Sequence, residues 1–199
     1  DEVKDRYENL SAQVNDLNRS YTELTEIVSR IEGEMKTNFT AAFAEINRNF
    51  SLVFRELFGG GQAELTLTDP EDVLNCGIEI KAAPPGKIIK NLSLLSGGEQ
   101  AFVACALFFA ILKVNPTPFC LLDEIEAALD EVNVYRLGEY IKKFCGETQF
   151  ILITHRRGTM QIADRLYGVT MPERGVSRVI ALDINEMEER SKEFTDGIL

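Results

Sequence analysis

The chain has 199 residues, 45% hydrophobic and 27% charged, enough for one domain with a real core or one domain plus an extension. Its net charge of −11 argues against a protein that grips nucleic acid through its overall field, though not against a local basic patch or a partner that supplies one. Cys76, Cys105, Cys120 and Cys145 are widely spaced, with no CxxC pair and no histidine at metal-ligand spacing, a pattern of buried reduced thiols in a cytosolic protein. No signal peptide is visible, and no apolar run approaches membrane-spanning length. The sequence opens without Met, already inside a helical repeat, and reads as a fragment.

Residues 1 to 57 carry the cleanest periodicity. Val3, Leu10, Leu17, Leu24 and Ile31 form one heptad series, and Tyr7, Val14, Tyr21, Val28 and Met35 form the other. Spacings of four and three alternate, with mostly polar residues between, which predicts a coiled-coil seam. A surface helix lying on a globular core would show a wider, drifting stripe. Beyond Met35 the register turns aromatic through Phe39, Phe43, Ile46, Phe50, Phe54 and Leu57, as where a helix leaves a solvated arm for a larger body.

Gly59-Gly60-Gly61 ends that helix, because glycine resists helical order. Ala63–Thr68 and Gly77–Lys81 alternate as an antiparallel strand pair, and Pro84-Pro85-Gly86 is a turn. Apolar segments then alternate with helical ones. Phe119–Leu122 and Phe150–Thr154 are short apolar runs of the kind buried on both faces of a sheet, covered by helices over Glu99–Lys113 and Asn133–Phe144. Leu166–Met171 and Ser177–Asp183 form a last strand pair around Pro172–Gly175, and the final dozen residues read as a frayed polar tail.

The string Leu95-Ser96-Gly97-Gly98-Glu99-Gln100 runs straight into an apolar helix. Ser96 and Glu99 alone make a capping box, the plain reading of a helix start. The glycines argue for more, since each costs about 1 kcal/mol relative to alanine inside a helical turn. Positions without side chains at a helix N-terminus let backbone N–H groups and the helix dipole meet a phosphate. Phe119-Cys120-Leu121-Leu122-Asp123-Glu124 is an apolar strand ending in two acids, at the edge of a parallel sheet where ligands bind. There Asp123 would hold Mg²⁺ through water and Glu124 would act as general base toward an attacking water. The alternative is a pair of solvated acids at a strand end. Ala127-Ala128-Leu129-Asp130 follows, and a second apolar strand closes on His155, the chain's single histidine.

In this order, LSGGEQ, FCLLDE, AALD and ITH resemble the downstream motifs of an ABC ATPase: signature, Walker B, D-loop and switch histidine. The wording DEIEAALDEVNV, ITHRRGTM and LYGVTMPERGVSRVIALD further resembles the bacterial SMC (structural maintenance of chromosomes) family over nearly the whole chain. The resemblance implies an α/β fold, the C-terminal lobe of an ABC-type P-loop NTPase head over 58–199, with a long coiled-coil arm helix over 1–57. No GxxxxGK[ST] occurs; Gly86-Lys87 is followed by Ile88, and Lys81 stands where the first glycine belongs. In the family that Walker A motif lies in the N-terminal half of the polypeptide, so ATP and Mg²⁺ chemistry is expected only when that half completes the head, and this fragment alone is expected to be inactive. Asp123, Glu124 and His155 would then serve the nucleotide of their own head, while Leu95 to Gln100 and Asp130 would reach the nucleotide of a second head in a homodimer. The further expectations are chromosome condensation and segregation in the cytoplasm at the nucleoid, a kleisin subunit, DNA held through the full complex, and no membrane partner. Arg156 and Arg157 read as a solvated loop or, less simply, a local DNA contact. A DNA-repair rod ATPase of the RecN or double-strand-break repair type is the alternative, disfavoured by the residues after Asp123. A degenerate, purely structural head would have lost Glu124 or the signature glycines, and an ABC transporter usually reads DEPT after Walker B and lacks the arm.

Overall fold

The alternation of heptad, short strand and helix resolves, in a computed structural model that describes residues 2–88, 90–146 and 148–183, into four α-helices and seven strands. The polar tail predicted for the last dozen residues lies outside the described residues. Helix α1 (Glu2–Phe58) is unbroken for 57 residues, about 85 Å at 1.5 Å per residue. Its two ends live in different surroundings. The heptad residues stand in solvent, Leu17 being 70% exposed, whereas Phe50, Val53 and Phe54 are fully buried. Burial of each such side chain contributes about 1.5–3 kcal/mol, so the root of α1 is anchored by packing and its outer part by helix propensity and local pairs such as Arg19–Glu23.

Gly61 fixes the exit of the chain from α1. Its φ is 84°, and a Cβ there would lie 2.3 Å from the Ala83 carbonyl oxygen. Only glycine satisfies both demands. Strands β1 (Gln62–Leu67), β2 (Ile78–Ala83) and β3 (Lys90–Asn91) then form an antiparallel sheet in that order; the two-residue β3 has no alternating signature in the sequence. The free edge of β1 is partly closed from α1: Asn47 donates to the Leu65 carbonyl at 3.1 Å and accepts from the Leu65 N–H at 2.8 Å, as a neighbouring strand would.

Helix α2 (Gly97–Val114) lies along the root of α1. Phe58 packs on Phe102 with ring centroids 4.7 Å apart, and Phe54 stacks on Phe58 at 4.2 Å. Among the described residues α2 is the one helix long and apolar enough to cross a membrane, which corrects the expectation that no apolar run reaches that length. Core packing accounts for one side of this helix, where Phe102, Val103, Ala106, Phe109 and Ala110 are all inaccessible to solvent, while Phe108 and Ile111 on the other side are exposed.

Strands β4 (Phe119–Asp123) and β5 (Gln149–Ile153) run parallel, Phe119 opposite Gln149 through Asp123 opposite Ile153, with α3 (Glu131–Phe144) as the crossover. Phe109 of α2 meets Tyr140 and Phe144 of α3, and Phe150 of β5, in one aromatic group. The expectation that both strands are buried on both faces fails. Leu122 faces the core, but Phe119, Leu121, Ile151 and Ile153 on the opposite face are exposed, Phe119 by 61%. The reason is physical: β4 and β5 pair only with each other, and no second layer covers their outer side among the described residues. The short α4 (Arg157–Met160), unmarked in the sequence, leads to a hairpin of β6 (Arg165–Glu173) and β7 (Val176–Asp183) turning at Gly175. All four cysteines are free thiols, but the expectation that they are buried holds only for Cys105: Cys76 and Cys120 are half-buried and Cys145 is exposed.

Candidate active site

Two loops at the C-terminal ends of β4 and β5 converge, as parallel pairing in register requires. The Glu124 N–H donates to the Ile153 carbonyl at 2.9 Å, continuing the ladder one residue past the strand. Glu124 then takes a φ of +46°, the one described non-glycine residue in the left-handed region, at a cost of about 1–3 kcal/mol. That turn swings its carboxylate toward the neighbouring strand end, where His155 Nδ1 lies 3.2 Å from Glu124 Oε1. Both side chains stay more than half exposed, so the pair is open to a ligand from solvent. Asp123, at the end of β4, is exposed beside them.

The second cluster is the start of α2. Ser96 is its N-cap; the Glu99 N–H reaches Ser96 Oγ at 3.4 Å, and the Glu99 carboxylate accepts from the Ser96 N–H at 3.1 Å, so the capping box is complete. Lys87 Nζ pairs with Glu99 Oε1 at 2.6 Å. The Lys87 hydrogen bond, with the Ser96 N–H bond next, holds the Glu99 carboxyl below its usual range. Gly97 and Gly98 differ in what they permit. A Cβ on Gly97 would meet nothing within 4 Å, whereas one on Gly98 would lie 3.0 Å from the Ala128 carbonyl oxygen. The first glycine leaves the helix start open; the second lets the loop after β4 pack against it.

The remaining residues of the string turn inward. Leu95 is buried in the core, and Gln100 Nε2 donates to the Leu92 and Leu95 carbonyls at 3.1 and 3.0 Å, fixing the turn before the helix. Asp130 caps α3, accepting from the Asn133 N–H at 2.8 Å and from the Asn133 amide at 3.2 Å. The fold therefore brings Glu124 and His155 together, with Asp123 next in the chain, and sets Gly98 of the Ser96–Gly98 turn against Ala128 in the loop that runs to Asp130. It gives Leu95 and Gln100 supporting positions.

Sequence reasoning missed Glu126 and misjudged Arg156. Glu126 is buried and accepts hydrogen bonds from Thr154 and Thr159. Its signal was a single acid inside the apolar run Ile125-Glu126-Ala127-Ala128-Leu129. Arg156 is no solvated loop residue: its guanidinium donates to the Ala127 and Leu129 carbonyls. Nothing local in the sequence marks that contact.

The fold is that of an SMC ATPase head. The Smc head domain of Pyrococcus furiosus with an extended coiled coil, solved bound to the C-terminal domain of ScpA, is similar with a TM-score of 0.77 and 41% identity, over 97% of this chain and 48% of that one. A chain from a structural study of ATP-driven dimerization and DNA-stimulated activation of SMC ATPases is similar with a TM-score of 0.70 and 42% identity, over 80% of this chain and 97% of that one. The chain belongs to the RecF/RecN/SMC N terminal domain family, whose model matches residues 3–178. It is similar to the chromosome partition protein Smc of Bacillus subtilis (strain 168), 55% identical over 187 residues, which are 94% of this chain and 16% of that protein. The chain thus spans about a sixth of the length of that curated relative.

Proposed function

We propose that this chain is the C-terminal lobe (58–199) of an SMC ATPase head with one helix of its coiled-coil arm (1–57), and that the completed protein uses ATP to engage and release two heads in chromosome condensation and segregation. One observation carries the reading. Two residues thirty-one positions apart, Glu124 and His155, meet at 3.2 Å where two paired parallel strands end, the place where open α/β sheets bind ligands.

The residues suit ATP with Mg²⁺. The start of α2 is open at Gly97, so its N–H groups and the Ser96 hydroxyl can meet phosphate oxygens. Among the described residues no group of three or more metal-ligating side chains exists; Mg²⁺ requires none, because it keeps several waters and binds through one or two carboxylates plus phosphates. Asp123 would supply that carboxylate. When bound, ATP would supply the transferable phosphoryl group and Mg²⁺ would offset charge developing on it. Glu124 accepts a proton from the attacking water, and His155 Nδ1 orients the Glu124 carboxylate from 3.2 Å. Ser96 to Glu99 and Asp130 face a second head. The N-terminal half of the polypeptide contributes the Walker A cradle and covers the exposed apolar row Phe119, Leu121, Ile151 and Ile153, and another coiled-coil helix covers the α1 seam.

A kleisin is assigned to the β6–β7 hairpin. Its row of exposed apolar residues, Tyr167, Val169 and Met171 with Val179 opposite Val169, supports this, as does the ScpA domain bound to the similar Pyrococcus furiosus head. DNA is engaged through the full complex, in the cytoplasm at the nucleoid. The similarity to the chromosome partition protein Smc of Bacillus subtilis favours this reading over a RecN-type repair ATPase.

In a complete head, Ser96→Arg places a long cation at the open helix start. It leaves ATP binding by a single head near wild type and abolishes head engagement. Glu124→Gln keeps the shape and removes the base, so heads engage and persist while turnover stalls. Size-exclusion chromatography with ATP and Mg²⁺ separates the two, one monomeric and one dimeric. Identical elution profiles, or normal turnover by Glu124→Gln, overturn the assignment. The chain alone should show no ATP turnover until the N-terminal half is added.

A further inference from the structure

The roles assigned above leave a buried acid unused. Glu126 is 3% exposed, and a carboxylate buried to that extent persists only when donors satisfy its oxygens. Both donors come from one short segment: the hydroxyls of Thr154 and Thr159 bond to Glu126 Oε1, the latter at 3.0 Å. Among the described residues no lysine or arginine forms an ion pair with it. Thr154 Oγ1 also accepts from the Arg156 N–H at 3.0 Å. Arg156 reaches back in the other direction, Nη2 donating to the carbonyls of Ala127 at 3.1 Å and Leu129 at 3.4 Å.

The two segments joined in this way have different duties. Residues 153–155 and Glu124 hold the pair that serves the head's own nucleotide. Ala127 to Asp130 lie beside the start of α2, with the Ala128 carbonyl against Gly98, and they face the second head. We propose that Glu126 and Arg156 are positioning residues that bind these two half-sites into one rigid unit, so that seating the second head on Ser96–Glu99 and Asp130 sets the Glu124–His155 geometry. The inference rests on the reading of the chain as an ATPase-head lobe. Neither residue is assigned a nucleotide contact: Glu126 is enclosed, and Arg156 Nη2 donates to main-chain carbonyls. Pressure on Ala128 from the α2 start passes to the Ala127 and Leu129 carbonyls, from there to Arg156, and so to His155, its neighbour in the chain. The two threonines keep that path stiff by tying the far side of the same segment to Glu126. A displacement of about 1 Å at a reacting pair is enough to cost roughly a hundredfold in rate, so stiffness here has kinetic weight.

The test uses the complete protein and measures turnover against ATP concentration for Thr159→Val, Thr159→Ser and Arg156→Ala. Valine keeps the shape of threonine and deletes the hydroxyl; serine keeps the hydroxyl. Thr159→Val and Arg156→Ala should each lower kcat about tenfold or more with KM for ATP within about twofold of wild type, and Thr159→Ser should recover most of the loss. Thermal melts followed by circular dichroism accompany each variant, and Arg156→Lys, which keeps the charge but loses the planar fork, replaces Arg156→Ala if the latter does not fold. Wild-type kcat in both variants, a rise in KM with kcat unchanged, or equal loss in Thr159→Val and Thr159→Ser overturns the proposal. A wild-type protein that neither engages its heads nor turns over ATP overturns the underlying reading instead.

Discussion

The two halves of α1 are one continuous helix built on opposite physical terms. Its outer half presents an apolar seam to solvent, with Leu10, Leu17, Leu24 and Ile31 all exposed, while its root buries Phe50, Val53, Phe54 and Leu57. Hydrophobicity by itself therefore does not separate them. What differs is breadth: the seam is a narrow stripe at heptad spacing, suited to one more helix, and the root is a broad aromatic face suited to a layered core. One of these surfaces is covered within the chain, and the other stands open to solvent.

That contrast gives a ranked set of outcomes. The largest is expected for Phe54→Ala, which opens a cavity in the aromatic stack and should cost about 3–5 kcal/mol in urea unfolding; a loss under about 1 kcal/mol would mean the root is not the anchor. Gly61→Ala attacks the same root from outside the helix. It meets the Ala83 carbonyl at a φ of 84°, and a loss of about 1–3 kcal/mol or more is expected. Acid should act more weakly, at the half-exposed start of α2. The Glu99 carboxyl is held below its ordinary value of 4.5 by Lys87 and Ser96, so the folded chain takes up that proton less readily than the unfolded one. The contribution is complete above 4.5 and is lost as pH falls through the lowered value. Wild type should therefore lose more stability than Glu99→Gln between neutral pH and acid, and parallel pH profiles would refute the linkage. Smallest of all, Leu17→Ala in this chain alone should change stability by less than about 0.5 kcal/mol, and by much more once a second arm helix covers the seam.

Much of this was legible because local rules and the fold agree. The heptads, the triple glycine, the Ser96–Glu99 box and the alternating strands each name their element without help from distant residues. The α2 start and the acids at the end of β4 were legible as a candidate site for the same reason. What stayed hidden depends on tertiary placement. The exposed face of β4 and β5 is written in residues that look buried, and no layer covers them among the described residues. Glu126 and Arg156 take their meaning from contacts about thirty positions away, and sequence spacing alone does not reveal which of two acids, Glu124 or Glu126, is turned inward. Composition also misled at α2, where a core helix carries the hydropathy of a membrane span.

That last feature bears on how the chain comes into being. A helix as apolar as α2 is hazardous while it stands bare during synthesis, since uncovered surface of this kind drives aggregation. The root of α1, which α2 packs against, lies earlier in the sequence. Translation at about 5–20 residues per second therefore delivers the aromatic ledge of Phe54 and Phe58 seconds before Phe102 emerges, so this strongly apolar segment finds a packing surface already made.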